Sequence, residues 1–471
     1  MCTSSGRPTK VELADIFAQH AEAYIASYGV SSIQYKAINA ISRCRTAQLG
    51  GHVLRCNHCG ALEMSYNSCR YRHCPKCQAP KKIRWLDERK AELLPVPYFH
   101  VVFTLPHELN PLASYNPALI YHLLFRAAWA TIERLGHDKN RLNGKMGMTA
   151  FLHTWNQQVN QHLHLHCMVP AGALCDDDGI VQWRASKPDY LFPVKVMSKL
   201  FGKLFLTELT KAFKSHELQF KGSIAPLAEK SQFMKLTAQL KPKPKTWNVY
   251  AKEPFNGAVG GMEYLARYFV KTAIGNERLI SFDEHQVRFK YRDSRDNDKT
   301  KIMALDAHEF IRRYLMHILP IGFMRVRYFG FLANSVKAKN IAMIRSLLHE
   351  SSPLDTVNTA TLSDASSTLA SGTTHAVLSI SPEISHLKST VSTVVQSKLN
   401  VLHYPMSDIQ QHILSIQDIK KETIRESAAE LMQRVVGIDV TLCKQCKIGH
   451  LEKVQVIYPN PAYNPTPWDT S

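Results

Sequence analysis

Residues able to do chemistry gather at three places in the chain. In Gln161-His162-Leu163-His164-Leu165-His166-Cys167, imidazole and apolar side chains alternate. On a β-strand successive side chains take opposite faces, so His162, His164 and His166 share one face while Leu163, Leu165 and Cys167 turn to the other. Two imidazoles two residues apart on a stiff strand can aim their nitrogens at one divalent cation while the leucines anchor the strand in a core. A second strand, expected over Met148 to Trp155, would join this one through a short polar turn, Asn156 to Gln161. Such a hairpin lays His153 beside the His164/His166 pair and makes it the candidate third ligand, with Gln157 and His162 as rivals.

The second place is Gly260-Gly261-Met262-Glu263-Tyr264-Leu265-Ala266-Arg267-Tyr268-Phe269-Val270-Lys271, which reads as a helix after a glycine-rich entry. At about 100° per residue, Met262, Leu265, Ala266, Phe269 and Ala273 gather on one side. Tyr264 and Tyr268 fall on the opposite side with Arg267 and Lys271. Phenols on a polar, cationic face suit phosphate chemistry better than packing. A tyrosine hydroxyl can displace a phosphodiester in line and leave a covalent phosphotyrosine. A cation held by histidines would stabilise charge on the non-bridging oxygens. Two tyrosines allow two successive transesterifications without nucleotide energy, because the phosphotyrosine link conserves the energy of the bond that was cut.

The third place is a cysteine cluster. Cys56-Asn57-His58-Cys59 and Cys74-Pro75-Lys76-Cys77 are two C-x-x-C turns separated by 14 residues. Each tight turn aims two thiolates at one tetrahedral zinc ion. Cys56, Cys59, Cys74 and Cys77 are the simplest four ligands. Cys44, His52, His58, Cys69 and His73 stand nearby as further donors, leaving a different set or a second ion open. Cys443-Lys444-Gln445-Cys446 with His450 is half a zinc site, either completed by His450 or only a turn. Arg70, Arg72 and Lys76 around the knuckles suit a finger laid on phosphates. Arg325 and Arg327, on one face of a strand, are further candidate backbone contacts, as are Arg267 and Lys271.

These groups need elements to position them. Lys10 to Tyr28, closed by Gly29, and Ile33 to Cys44 read as helices. Tyr98 to Leu105, stopped at Pro106, reads as a strand, as do Trp247 to Ala251 and Val287 to Arg292. Helices are expected over Pro117 to Leu135, Pro193 to Ser215, and from an Asp306 cap to about Leu319. The divisions expected are 1–95, helical and zinc-binding; 96–345, catalytic; 346–400, a linker rich in Ser and Thr; and 401–471, a tail with a helix and a C-x-x-C. Across 471 residues Lys and Arg outnumber acids by 58 to 39, a formal charge of +19, so the expected partner is a polyanion. Charge alone does not separate DNA from RNA. No stretch has the length of a membrane span, and the N-terminus lacks a signal-type apolar segment, so a cytoplasmic protein with reduced cysteines is expected.

The order His164-Leu165-His166 followed by Tyr264-(three residues)-Tyr268 resembles the two-tyrosine HUH endonucleases. Asn67-Ser68-Cys69-Arg70-Tyr71-Arg72-His73-Cys74-Pro75-Lys76-Cys77, His164-Leu165-His166-Cys167, Tyr264-Leu265-Ala266-Arg267-Tyr268 and Gly330-Phe331-Leu332-Ala333-Asn334 together resemble the rolling-circle transposases of bacterial insertion sequences, of the IS91 type. That resemblance covers about Cys44 to Asn334. It implies an α+β fold: an HUH domain with a central antiparallel sheet flanked by helices, behind a small N-terminal zinc-binding domain. It also implies a bacterial DNA transposase that nicks and joins single strands at transposon ends and target DNA through a 5′-phosphotyrosyl intermediate. His164 and His166 would bind Mg²⁺ or Mn²⁺, and Tyr264 and Tyr268 would be the nucleophiles. The His-His-Pro run of close relatives is missing before the histidines, which leaves the third ligand open. No G-x-x-x-x-G-K-[ST] motor motif occurs, so strand separation would fall to a host helicase or replication factors. A plasmid rolling-circle initiator or relaxase, and a non-catalytic zinc-dependent DNA-binding regulator, are the alternatives.

Overall fold

The computed structural model of the protein describes residues 10–77, 85–242, 247–252, 272–350 and 439–459, with isolated positions between 427 and 437. The segment expected to carry Tyr264, Arg267, Tyr268 and Lys271 lies outside these residues. So does the expected Ser/Thr-rich linker from residue 351 on, while its first residues finish a helix, Lys337–Glu350.

The chain opens with α1 (Leu13–Tyr28) and α2 (Ser32–Ser42), each begun by a capping box and the first closed by Gly29 at φ +65°. Buried Ile16, Phe17, Ala21 and Tyr24 form the apolar stripe that the periodicity predicts. β1 (Gly51–Cys56) and β2 (Leu62–Tyr66) follow, then β3 (Tyr98–Thr104), a helix Pro117–Gly136, β4 (Gly147–Trp155), β5 (Gln161–Pro170), β6 (Gly172–Asp177), β7 (Ile180–Ala185), a helix Val194–Lys214 and β8 (Asn248–Lys252). Next come β9 (Leu279–Phe282), β10 (Gln286–Asp293), β11 (Lys299–Asp306), a helix Ala307–Leu315, β12 (Val326–Gly330) and, near the C-terminus, β13 (Leu451–Ile457). Asp306 caps its helix as expected, accepting from the His308 and Glu309 amides, but the helix stops at Leu315 rather than running to Leu319.

Five strands form an antiparallel sheet in the order β12-β4-β5-β3-β8. The alternation of β5 decides its two faces. Leu163, Leu165, Cys167 and Val169 join Phe99, Val101 and Phe103 of β3 and Met148, Ala150 and Leu152 of β4 in the largest core, with the helices Pro117–Gly136 and Val194–Lys214. The opposite face carries the histidines. Two further cores meet that face at its ends. One holds Tyr98 and Met168 under Ile341 and Ile344. The other holds Trp155 and Val159 with α1, α2 and the helix Ala307–Leu315.

Two of the expected divisions need revision. Residue 95 does not separate two cores, because Phe17, Ile38 and Ile41 of the N-terminal helices pack with Phe289, Phe310 and Tyr314. Nor does the described part of 401–471 stand as a separate tail. β13 pairs antiparallel with β1 and makes β1 the middle strand of a sheet ordered β13-β1-β2. Among the described residues no helix is long and apolar enough to cross a membrane.

Gly330 shows why the Gly-Phe-Leu-Ala-Asn stretch starts with glycine. Its φ is +61°, and a Cβ there would lie 1.8 Å from the Met146 carbonyl oxygen and 2.6 Å from the Trp129 ring. Gly330→Ala is therefore expected to lower stability by about 2 kcal/mol or more, read as a shift of the urea unfolding midpoint. An unchanged midpoint would contradict this backbone geometry.

Candidate functional site

Antiparallel pairing brings the histidines together. His153 on β4 sits directly opposite His164 on β5, and Phe151 sits opposite His166. Opposed residues share a face. The ligand atoms of His153, His164 and His166 all lie within 4.8 Å of one another, and all three side chains are buried. His164 Nε2 and His166 Nε2 are 3.2 Å apart. Neighbouring ligands of an octahedral ion bound at ~2.1 Å are about 3.0 Å apart, so the pair suits one small divalent cation. The rivals for the third position are outside the converging set: His162 is exposed at the start of β5, although its ring lies 4.9 Å from that of His164, and Gln157 is exposed in the turn.

The proton positions follow from what each ring touches. His164 Nδ1 is 2.9 Å from the His162 carbonyl oxygen, which can only accept, so Nδ1 carries the proton and Nε2 keeps a lone pair. Burial pushes His164 down to about 3, leaving it neutral at ordinary pH. His166 Nδ1 is 2.9 Å from His100 Nε2, and the two rings stack at 5.1 Å. For His166 to face a cation with Nε2, its Nδ1 must donate to His100. Burial, helped by Lys252, pushes His100 down to about 4, so it too is neutral and able to accept.

His100 was missed on the sequence. Its signal was a single imidazole inside the apolar run Tyr98 to Thr104, at the same strand parity as Val102, which pairs with His166.

The cysteines divide differently from the expectation. Cys56, Cys59, Cys74 and Cys77 do not converge. One group is Cys44, Cys69, Cys74 and Cys77, and another is Cys56, Cys59, Cys443 and Cys446. In the first, Cys77 Sγ lies 3.4 Å from Cys44 Sγ and 3.6 Å from Cys69 Sγ. Tetrahedral zinc at ~2.3 Å from each sulfur sets the sulfurs about 3.8 Å apart, so the set fits the ion. The cause of the split is topological. β1 carries Cys56 to its far end, while the chain after β2 returns to the end of α2, where Arg45 N donates to the Asn67 oxygen. His450 does not complete the Cys443/Cys446 pair; its Nδ1 lies 3.1 Å from Thr441 Oγ1 and 3.6 Å from Asp439. His73, another spare donor, is buried and accepts from the Leu319 amide.

Of the expected DNA contacts, Arg70 is exposed and takes a left-handed φ of +54°. Arg72 donates to the Phe323 carbonyl at 2.8 Å, and Lys76 pairs with Glu12. Arg325 lies over the Trp155 ring at 5.6 Å, and burial pushes it down to about 10. Arg327 lies over the rings of Phe125 and Phe323, at 4.5 and 5.1 Å. These four make contacts within the chain, because the returning loop and β12 press them onto aromatic and backbone partners. Arg267 and Lys271, like the two tyrosines, lie outside the described residues.

Two family models match the chain. One, described as a putative transposase, spans residues 147–340 and so includes all three clustered histidines. The other, described as a transposase zinc-binding domain, spans residues 16–105. Over 343 residues the chain is 45% identical to the putative transposase y4qJ of Sinorhizobium fredii (strain NBRC 101917 / NGR234), covering 73% of this chain and 85% of that protein. The chain is an IS91-type transposase. This transposase is also 28% identical over 328 residues to the transposase for insertion sequence element IS801 of Pseudomonas savastanoi pv. phaseolicola, covering 69% of this chain and 76% of the relative. No solved structure matches the transposase. Membership makes it a DNA-processing enzyme with a zinc-binding domain near its N-terminus.

Two outcomes are expected. Cys74→Ser should reduce the bound zinc and destabilise the transposase by several kcal/mol, because Cys44, Cys74 and Cys77 share a core with α1 and α2. Metal analysis and thermal unfolding read both effects, and full zinc content would contradict the ligand set. Burial also pushes His317 down to about 4, against the pull of its hydrogen bond to the Val159 carbonyl. The unfolded chain takes that proton near 6.5, so stability is complete above this pH and is lost as pH falls toward 4, by up to about 3 kcal/mol. In His317→Gln the fall in unfolding free energy over that window should be shallower; an identical slope would refute the assignment.

Proposed function

We propose that this transposase cuts and rejoins single-stranded DNA at transposon ends and target DNA by tyrosine attack on a phosphodiester, through a 5′-phosphotyrosyl intermediate, in rolling-circle-like transposition. Tyr264 and Tyr268 are the nucleophiles in this reading. The observation that supports it is the convergence of His153, His164 and His166, with His164 Nδ1 turned to the His162 carbonyl and His166 Nδ1 turned to His100, which leaves the Nε2 atoms of both toward the common centre. A neutral imidazole such as that of His164 presents a lone pair, which is what a cation requires. Of Mg²⁺ and Mn²⁺, an all-nitrogen set favours Mn²⁺, since Mg²⁺ prefers oxygen donors. The bound ion would supply Lewis-acid stabilisation of the phosphate's non-bridging oxygens.

The chain's own residues do the rest. A phenol oxygen attacks phosphorus, the bond to the 3′ oxygen breaks, and the 3′ end leaves as a hydroxyl after gaining a proton. The 5′ phosphate stays on tyrosine until a 3′-hydroxyl reverses the step, and the second tyrosine allows a second strand to be held meanwhile. In sequence the tyrosines follow β8, whose Asn248, Tyr250 and Lys252 pair with β3 residues of the histidine face. Arg70, Arg267 and Lys271 are the phosphate contacts in this reading, and host factors open the duplex.

Incubation with labelled single-stranded DNA of the element ends and Mn²⁺ tests the proposal. A DNA–protein adduct should survive denaturation, disappear in the Tyr264→Phe, Tyr268→Phe double variant, and persist in Tyr250→Phe, which removes an exposed phenol close to the same face. DNA binding without any adduct would leave the regulator reading in its place. His100→Ala should raise the Mn²⁺ needed for half-maximal adduct by about 10- to 100-fold, with recovery at high Mn²⁺. An unchanged Mn²⁺ requirement would remove His100 from the site.

A further inference from the structure

The zinc-binding domain model ends at residue 105, yet two of the four cysteines in the second cluster lie beyond residue 440. β13 brings them back. It pairs with β1 from Gly51 opposite Ile457 to Cys56 opposite Leu451, so the loop before β13 lands on the Cys56–Cys59 turn. Asn57 N donates to the His450 carbonyl at 3.0 Å, and His450 N donates to Asn57 Oδ1 at 2.9 Å. The two knuckles are thereby locked face to face.

Each knuckle has the form of a metal-binding turn. The amides of His58 and Cys59 point at Cys56 Sγ at 3.4 and 3.5 Å, and that of Gly449 points at Cys446 Sγ at 3.4 Å. Such amides stabilise thiolates rather than thiols. Across the seam Cys56 Sγ is 3.6 Å from Cys446 Sγ and Cys59 Sγ is 3.7 Å from Cys443 Sγ. These distances match the edges, about 3.8 Å, of a sulfur tetrahedron such as zinc requires, and they exceed the ~2.05 Å of a disulfide. Gly449 permits the approach: a Cβ there would lie 2.6 Å from Cys56 Sγ and 2.5 Å from His58 Cβ. Burial does not account for the cluster, since Cys59 is exposed and Cys446 only half-buried.

We propose that Cys56, Cys59, Cys443 and Cys446 bind a second structural zinc ion that clamps the C-terminal segment 439–459 onto the N-terminal zinc-binding module. Neither end of the chain completes this site alone. β1 and β2 would form only a two-stranded hairpin without β13, an arrangement of marginal stability in water. The clamp therefore makes the N-terminal module depend on the C-terminus. It stands independently of the phosphotyrosyl chemistry.

The test counts zinc freed from full-length transposase by a mercurial thiol reagent, which displaces only cysteine-bound metal. Two ions per chain are expected from the wild type and one from C443S/C446S. Zinc K-edge absorption of the wild type should show sulfur only, at about 2.3 Å, in the thiol-releasable metal. One releasable ion in the wild type overturns the proposal without any variant. So do two ions in C443S/C446S, or a wild-type thiol count under denaturation four short of the 11 cysteines, which would show disulfides instead.

Discussion

The pairing of β5 between β3 and β4 is the constraint on which the rest of this structure depends. Because strand side chains alternate, one register decides two things together. It sends Leu163, Leu165, Cys167 and Val169 into the main core, and it places His164 and His166 on the other face opposite Val102, Thr104, Phe151 and His153. A shift of one residue would exchange the two sets and put imidazoles into the hydrocarbon core. The free energy of burying the leucines therefore also holds the site's geometry. The precision of the site comes from strands and not from loops.

Burial of the histidines follows from the same architecture. Apolar clusters close both ends of the histidine face, one around Met168 and the other around Trp155. Desolvation there holds His100 and His164 neutral, and neutral imidazole is the form that binds a cation. The His162 carbonyl then selects which nitrogen of His164 is available, and His100 can do the same for His166 by accepting its Nδ1 proton. Packing, ionisation and tautomer are thus one linked arrangement. A change that merely loosened the Met168 or Trp155 cluster would reach the site through hydration, without touching a ligand.

The cysteine clusters show a second use of long-range pairing. One joins the end of α2 to the loop after β2 and sits within the core of the N-terminal helices. The other joins opposite ends of the chain through β13. Basic side chains that look like a DNA-binding rim in one dimension are partly spent on such internal joints. Lys76 reaches Glu12, Arg72 reaches the Phe323 carbonyl, and Arg325 and Arg327 lie over aromatic rings. The net charge of +19 thus overstates what is open to a phosphate backbone.

Local features were legible in the sequence alone because their causes are local. The alternation of β5, the helix after Gly29, the helix capped at Asp306, the strands β3, β4 and β10, and the two C-x-x-C turns of the N-terminal region all follow from periodicity, capping and turn chemistry over a few residues. The hairpin also placed His153 opposite His164, because a short connection leaves antiparallel pairing as the simplest outcome. Partners distant in sequence were not legible. Cys44 with Cys77, Cys56 with Cys446, and His100 with His166 are each brought together by strand order or core packing, which no window of the chain encodes. The tertiary structure alone decided which cysteines meet and which partners the Nδ1 atoms of His164 and His166 find, since both depend on what the rest of the fold presses against them.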